Sequence, residues 1–366
     1  MYRLAKVTAA LLMGALATAA LSASPLANQG AQDASAATRP LVGFSFSPRA
    51  ASWLGEDPQA ALPALLTQLS PDLVRLPVYW DSVEPARGRF DYSEVDRALA
   101  TIRQYNLGHP TRPARVILEV GARNMGYPEL YVPHWLPLAL QSAAPLAVAD
   151  PEYAAYLSAS FTRYRHEPLL YSWQLENEPL DDVPTTAGSP ADLPGEVLQE
   201  EFEAVKAIDP SHDVVVTTYN SSTLSLDLTA LTPAASGIAG NPTPQPAGHP
   251  LESLQLGDAL GLDVYVVTGQ TSLADAGVRK RTDWKRAALD YWAEQSRTMQ
   301  KPLWITEMQG TPWPGHTDFS TDDLLYSAHR YRGSAAGVVL LWGVESWLLS
   351  PAWMKAGVQA REVLGA

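Results

Sequence analysis

Cysteine is absent from the 366 residues, which removes disulfides, thiolate metal sites, cysteine nucleophiles and lipid-modified cysteine together. Basic residues are scarce: 26 Lys and Arg stand against 39 Asp and Glu, a formal net charge of −13. No run of Lys or Arg interrupts that balance, and a phosphate backbone needs a basic face, so nucleic acid is not an expected partner. Only 7 His are present, with no HExxH motif and no pairing at ligand spacing with a carboxylate cluster. No metal or other cofactor is expected. A G-x-S-x-G elbow is missing too, which removes the serine-hydrolase reading. Phe, the simplest aromatic for a dry core, numbers 6 against 11 Trp and 15 Tyr. Rings with a polar edge suit surfaces that are half apolar and half wet, as sugar faces are, although core filling uses them equally well.

A long apolar run is also lacking. Arg3 and Lys6 precede apolar and small residues from 7 to about 21, which is short of the roughly 20 residues that a membrane span needs. A charged start, a short apolar stretch and then small residues describe a signal peptide, expected over 1–23. Residues 24–39 read as a flexible leader, and 40–366 as one catalytic domain. The mature chain is thus expected to be secreted or periplasmic, with no stable membrane span after cleavage.

What is present is core material, at 46% apolar and 18% charged residues. Short Val/Ile/Leu runs at 41–46, 73–79, 115–120, 169–175, 213–218, 259–265, 303–306 and 337–342 read as strands covered on both sides. Amphipathic stretches separate them. Val95, Leu99 and Ile102 recur at helical spacing, as do Leu198, Phe202 and Val205. Asp150-Pro151 and Ser350-Pro351 each set a capping residue before a proline at a helix start. Further helices are expected over 282–299 and 320–331, and the fifth somewhere in the proline-rich stretch 221–256, which reads as an inserted loop. Eight strand-then-helix units in series predict a (β/α)8 TIM barrel. An open doubly wound sheet would carry a Gly-rich turn after its first strand, and Gly43-Phe44-Ser45-Phe46-Ser47 is not one.

Active sites of such barrels sit at the C-terminal ends of the strands. There the fourth strand ends Trp173-Gln174-Leu175-Glu176-Asn177-Glu178-Pro179 and the seventh Trp304-Ile305-Thr306-Glu307-Met308-Gln309. These strands stand opposite each other in an eight-membered ring, so Glu178 and Glu307 are expected to face each other over the mouth. Two carboxyl groups flanking one bond suit glycoside cleavage, one as proton donor and one as nucleophile. Their affinities for protons must be driven apart, with Arg75 and Tyr265 as candidate supports for Glu307. Either motif alone is weak, since Asn-Glu-Pro is a frequent turn and a strand-end Glu is usually a solvated rim charge. Their coincidence at the two expected strand ends carries the reading.

At these residues the chain resembles clan A of the glycoside hydrolases, from about Leu41 to the C-terminus. The segments Val74–Trp80, Val83-Glu84-Pro85, Gly88–Asp91, Trp173–Pro179, Trp304–Gln309 and Leu341-Trp342-Gly343 carry the resemblance. It implies a retaining double displacement with Glu178 as acid/base and Glu307 as nucleophile. It further implies Asn177 on the sugar 2-hydroxyl, Arg75 and Tyr265 beside Glu307, and Trp342 flooring the pocket. Tyr79, Trp80, Tyr219, Trp313 and Glu345 complete the expected substrate-binding set. Trp80, Trp135, Trp313 and Trp347 are all candidates for stacking on sugar rings, some of them equally packing residues. His134 and His316 are loop candidates for sugar contact or plain surface residues, while Asp181 and Asp182 read as a solvated loop face. The ends of strands three and five, Glu119–Arg123 and Thr217–Asn220, lack the His of several clan families. Pro128-Glu129 to Pro133-His134-Trp135 leans towards β-galactosidase-like members. The expected partner is therefore a β-linked oligo- or polysaccharide. The rival readings are an exo-acting β-galactosidase-like enzyme, an inverting hydrolase and a catalytically silent carbohydrate-binding barrel.

Overall fold

A computed structural model describes residues 39–137, 150–181, 193–219, 248–268, 277–315 and 317–366. The expected signal peptide, all of the leader but Arg39, Asp182, His316 and most of the proline-rich stretch lie outside the described residues. Eight parallel strands close on themselves in sequence order: β1 (Leu41–Ser45), β2 (Leu73–Tyr79), β3 (Arg115–Gly121), β4 (Leu170–Leu175), β5 (Asp213–Tyr219), β6 (Ala259–Val264), β7 (Leu303–Gln309) and β8 (Val338–Trp342). The expected TIM barrel is the fold observed, and Leu41 to Phe44 pair with Val338 to Leu341 to complete the ring.

Helices α1 (Pro48–Trp53), α2 (Pro58–Leu69), α3 (Trp80–Val83), α4 (Ser93–Leu107), α5 (Pro151–Tyr164), α6 (Gly195–Ile208), α7 (Pro250–Leu256), α8 (Val278–Thr298), α9 (Thr321–Tyr331) and α10 (Pro351–Leu364) surround it. Among the described residues the fifth helix is the short α7, at the end of the proline-rich stretch and begun by Pro250 itself. Among the described residues no helix is long and apolar enough to cross a membrane. The two proline-marked caps differ. Asp150 accepts hydrogen bonds from the Glu152 and Tyr153 amides, whereas Ser350 occupies the cap position of α10 without a side-chain bond.

Two apolar layers follow from the two-residue period of the strands. Leu73, Ile117, Val215, Ala259, Trp304, Val338 and Leu340 point inward and plug the bottom of the barrel. Val74, Leu76, Val78, Trp173, Leu175, Leu260, Leu262, Ile305 and Leu341 point outward and pack under the helices. Above the plug the inward positions turn polar, with Ser45, Arg75, Glu119, Gln174, Thr217, Asp263 and Thr306 all buried. The change from apolar to polar along one interior gathers ionisable groups towards the strands' C-terminal ends.

Candidate active site

Strand β4 leaves the barrel through a strained turn. Glu176 (φ 56°) and Glu178 (φ 42°) both adopt the left-handed region, which costs on the order of 1–3 kcal/mol each for residues other than glycine. Hydrogen bonds hold the turn. The Glu176 carboxylate accepts from the amides of Ala122 and Arg123 and from the Tyr153 hydroxyl. The Glu178 amide donates to Thr217 Oγ1 on β5 at 2.9 Å. Gly121 at the end of β3 admits this arrangement, because a Cβ there would lie 2.4 Å from Glu176 Cδ. Glu176 is thus the anchor that aims Glu178, a role not foreseen from sequence.

Strand β7 presents Glu307 through an irregularity. Leu262 pairs with Ile305 but Asp263 with Glu307, and on the other side Ile305 pairs with Val339 but Met308 with Leu341. Strand β7 therefore carries an extra residue at Thr306-Glu307 relative to both neighbours, and such bulges re-aim side chains. Thr306 Oγ1 donates to Asp263 Oδ1 at 2.7 Å, while Glu307 turns towards Arg75.

Arg75 is the hub. Its Nη2 donates to Glu307 Oε1, Nη1 to Gln174 Oε1 at 3.1 Å, and Nε to Ser45 Oγ at 2.9 Å. Its Nε also lies 3.6 Å from Glu119 Oε2. Burial opposes the guanidinium charge, but the carboxylates of Glu307, Glu119 and Asp263 more than offset that and raise Arg75 above its ordinary value. The Tyr265 hydroxyl donates to Glu307 Oε2, so both oxygens of the Glu307 carboxylate have a donor. Burial and then the Glu307 charge hold the Tyr265 proton in place.

Glu178 stands in the opposite environment. Burial raises its pKa well above the ordinary carboxylate value, and the negative charges of Asp263, Asp181, Glu307 and Glu129 add to the rise. Residues 129 positions apart in the chain thereby come within electrostatic reach of each other over one mouth, with a proton favoured on Glu178 and hydrogen-bond donors gathered at Glu307. Beside Glu178, Asn177 is buried and its Oδ1 has no hydrogen-bond partner. An unmet buried acceptor costs about 1–3 kcal/mol, which a ligand hydroxyl can recover.

The remaining expected residues divide. Trp342 is half-buried, with the Arg75 guanidinium 5.4 Å from its ring centre. Trp313 is partly exposed and meets Tyr265 edge-on at 5.6 Å, while Tyr219 stacks 6.3 Å from Tyr265 on the other side. These four rings line the same mouth. Trp80 does not. It opens α3 just past the end of β2, fully buried against Tyr153 and Tyr156 with Nε1 donating to Glu84. Tyr79 points inward but is 1% exposed, and its hydroxyl is shared between Ser47 Oγ and the Met125 carbonyl. Both are corrected from substrate-binding to structural residues. Trp347 is likewise buried, donating to the Gly310 carbonyl, and half-buried Trp135 donates to the Glu84 carbonyl. Glu345 is buried and accepts from the Ser47 amide at 2.7 Å, with burial lifting it to about 7.

Asp181 overturns its expectation as well. It is 1% exposed, accepts from the Tyr219 amide at 2.6 Å and from Thr218 Oγ1, and is raised by burial to about 6. His134 is an exposed turn residue. Sequence reasoning also missed Glu119 and Glu129, which burial raises to about 8 and about 7. The inward parity of β3, read against Ile117, was the available signal for Glu119.

No protein-family model matches this chain, and no curated protein matches it. Solved structures do resemble it. A GH5_18 protein from Streptomyces cattleya in complex with GlcNAc superposes with TM-score 0.58 at 16% identity, over 84% of this chain and 71% of that one. The β-galactosidase of the haloarchaeon Halorubrum lacusprofundi gives 0.57 at 14% identity, over 88% and 57%. An exo-β-1,4-mannosidase from Opitutaceae bacterium strain TAV5 gives 0.52 at 17% identity, over 89% and 59%. The shared property is the barrel. At such identities the likeness carries the fold, and the chemistry has to be argued from the residues.

Proposed function

We propose that this chain is an exported retaining β-glycosidase of clan A, acting on an oligo- or polysaccharide of β-linked hexopyranoses. The observation that carries the reading is the asymmetric carboxyl pair: Glu307 held by Arg75 and Tyr265, and Glu178 raised by burial and by surrounding charge. The Arg3, Lys6 and apolar start of the sequence supports export. The three neighbours whose printed substrates or ligands are hexoses support the substrate class.

In the first step a Glu307 oxygen attacks the anomeric carbon while Glu178 gives its proton to the glycosidic oxygen. The carbon–oxygen bond breaks, the leaving sugar departs as an alcohol, and the glycone is left as an ester of Glu307. Glu178, now a carboxylate beside Asp263 and Asp181, is a willing base. It takes a proton from water as the water oxygen attacks the same carbon, and the ester bond breaks to return Glu307 as a carboxylate. Asn177 Oδ1 accepts from the 2-hydroxyl, a bond that strengthens in the oxocarbenium-like state. Trp342 floors the pocket, with Tyr219, Tyr265 and Trp313 along its wall. Donors on Glu307 stabilise its charge when it is the leaving group of the second step, so one constellation serves both steps.

Hydrolysis of aryl β-hexopyranosides followed by proton NMR tests the reading. A β-configured first product supports it, an α-configured first product makes the enzyme inverting, and glycan binding without turnover leaves a silent binding barrel.

A further inference from the structure

Large apolar side chains are rarely left in water in pairs. Among the described residues Trp53 is 60% exposed and Tyr127 66% exposed, and the two rings meet at 6.4 Å with a 60° tilt. Trp53 ends α1, which follows β1, and Tyr127 lies in the segment that follows β3, so both stand at the mouth end where barrel sites are built.

The two segments are tied together beneath the rings. Ser47, the cap of α1, shares a 2.8 Å hydrogen bond with the Tyr79 hydroxyl, which donates to the Met125 carbonyl at 3.0 Å. The Arg49 guanidinium, one turn before Trp53, lies 4.5 Å from the Tyr79 ring centre and 4.7 Å from that of Tyr131. Tyr131 in turn donates to the Tyr127 carbonyl at 2.9 Å. Two residues beyond Tyr127, the backbone turns through Glu129 (φ 68°), whose carboxyl is close enough to the centre for the Glu307 charge to raise it. One segment thus reaches from the reacting carboxylates to the outer aromatic pair.

We infer that Trp53 and Tyr127 form a distal subsite that stacks on a hexopyranose ring of an oligosaccharide, one or more units beyond the sugar at Glu307. This rests on the glycosidase reading for the direction of the chain, although the binding itself does not require turnover. The apolar face of a pyranose covers the open indole face, and the tilted tyrosine closes the side with its hydroxyl towards sugar oxygens. Because the segments that carry the two rings are tied together beneath them, part of the ordering cost is met before binding. The subsite gives the enzyme a preference for substrates longer than a disaccharide.

Titration calorimetry on the full chain carrying Glu307→Gln tests this without hydrolysis, using cellohexaose, β-1,4-mannohexaose and a β-1,4-galactan hexasaccharide, each beside its disaccharide. One hexasaccharide is expected to bind at least about tenfold more tightly than its disaccharide, a step of about 1.4 kcal/mol. Trp53→Ala or Tyr127→Ala removes most of that advantage, and Trp53→Phe retains it. Equal affinities for hexasaccharide and disaccharide, no binding of any probe, or an unchanged advantage in both alanine variants overturns the subsite. So does a dimer of the unsubstituted chain that Trp53→Ala dissolves in sedimentation analysis, since the pair is then a contact between copies. Aryl β-glycoside hydrolysis by the unsubstituted chain is scored separately. Turnover without the chain-length advantage sinks the subsite alone, and the advantage without turnover sinks the glycosidase reading alone.

Discussion

The ends of β4 and β7 set two glutamates over one mouth by opposite means. At β7 a bulge turns Glu307 into a ring of donors, with a guanidinium on one oxygen and a phenol on the other. At β4 a strained turn sets Glu178 among carboxyl groups, where burial and the charges of Asp263 and Asp181 favour its proton. Two identical side chains meet different electrostatic environments because their neighbours differ, and the neighbours differ because two strands end differently. A donor cluster stabilises charge directly, whereas a carboxylate cluster acts by opposing a second charge. The first fails when a donor is lost, and the second when a negative charge is lost.

The largest expected effect separates the two roles. Glu307→Gln removes the nucleophile and lowers kcat/KM on any aryl β-glycoside by more than about 10³-fold, whatever the leaving group. Glu178→Gln removes proton donation, which contributes roughly 10²–10⁴-fold, so the loss is deep for leaving groups of high pKa. It is much shallower in bond cleavage with a dinitrophenolate, which leaves without a proton. Steady-state and burst kinetics over a leaving-group series measure both. Parallel losses across the series in the two variants would erase the distinction between the strand ends.

The next effect is on stability. Arg75→Met leaves Glu307, Glu119 and Asp263 in the barrel without the buried cation that they share. Breaking a buried ion pair by removing one partner costs about 3–5 kcal/mol. Urea unfolding should show a loss of that size near neutral pH. The loss should grow as the pH is raised through about 8, because Glu119, raised by burial to about 8, gives up its proton there beside Arg75 and holds it longer without that cation. Glu178→Gln, which removes a group already favoured as its acid, should cost far less. Equal costs for the two substitutions would show that the strand ends share one electrostatic environment.

How far this contrast could be read from the chain depends on the kind of residue. The strands were legible because runs such as Val214-Val215-Val216 and Val338-Val339-Leu340-Leu341 have only one use in a barrel covered on both faces. Glu178 and Glu307 were legible because strand order alone sets strands four and seven across the mouth. Trp80 is not legible as a packing residue, because the strand ends between Tyr79 and Trp80 and no local pattern marks that α3 begins there. The bulge at Thr306-Glu307 has no sequence mark of its own. It arises from mismatched register with both neighbouring strands, which no local pattern records. Asp181 was read as solvated because acidic loop residues usually are, and only the fold brings the Tyr219 amide and the Thr218 hydroxyl to it.

The smallest effect sharpens the contrast most. Asp263 sits beside Glu307 in register, takes a hydrogen bond from Thr306 on Oδ1, and leaves Oδ2 buried without a partner. Its substitution by Asn keeps the shape and the Thr306 bond but removes the charge. Burial raises Asp263 as well, and to the extent that it ionises its charge disfavours the anion of Glu178, so its loss lowers the pKa of Glu178. The alkaline limb of the kcat/KM profile, which reports loss of the acid's proton, therefore moves to lower pH, while the rate on the plateau changes little. Glu345→Gln serves as the control, because Glu345 is bound to the Ser47 amide and is not among the leading charges acting on Glu178. A limb that moves in Asp263→Asn and stays in Glu345→Gln assigns the proton on Glu178 to the charges beside it. A limb unmoved in both would take Asp263 out of the setting of that proton and leave it to burial and the remaining carboxyl groups.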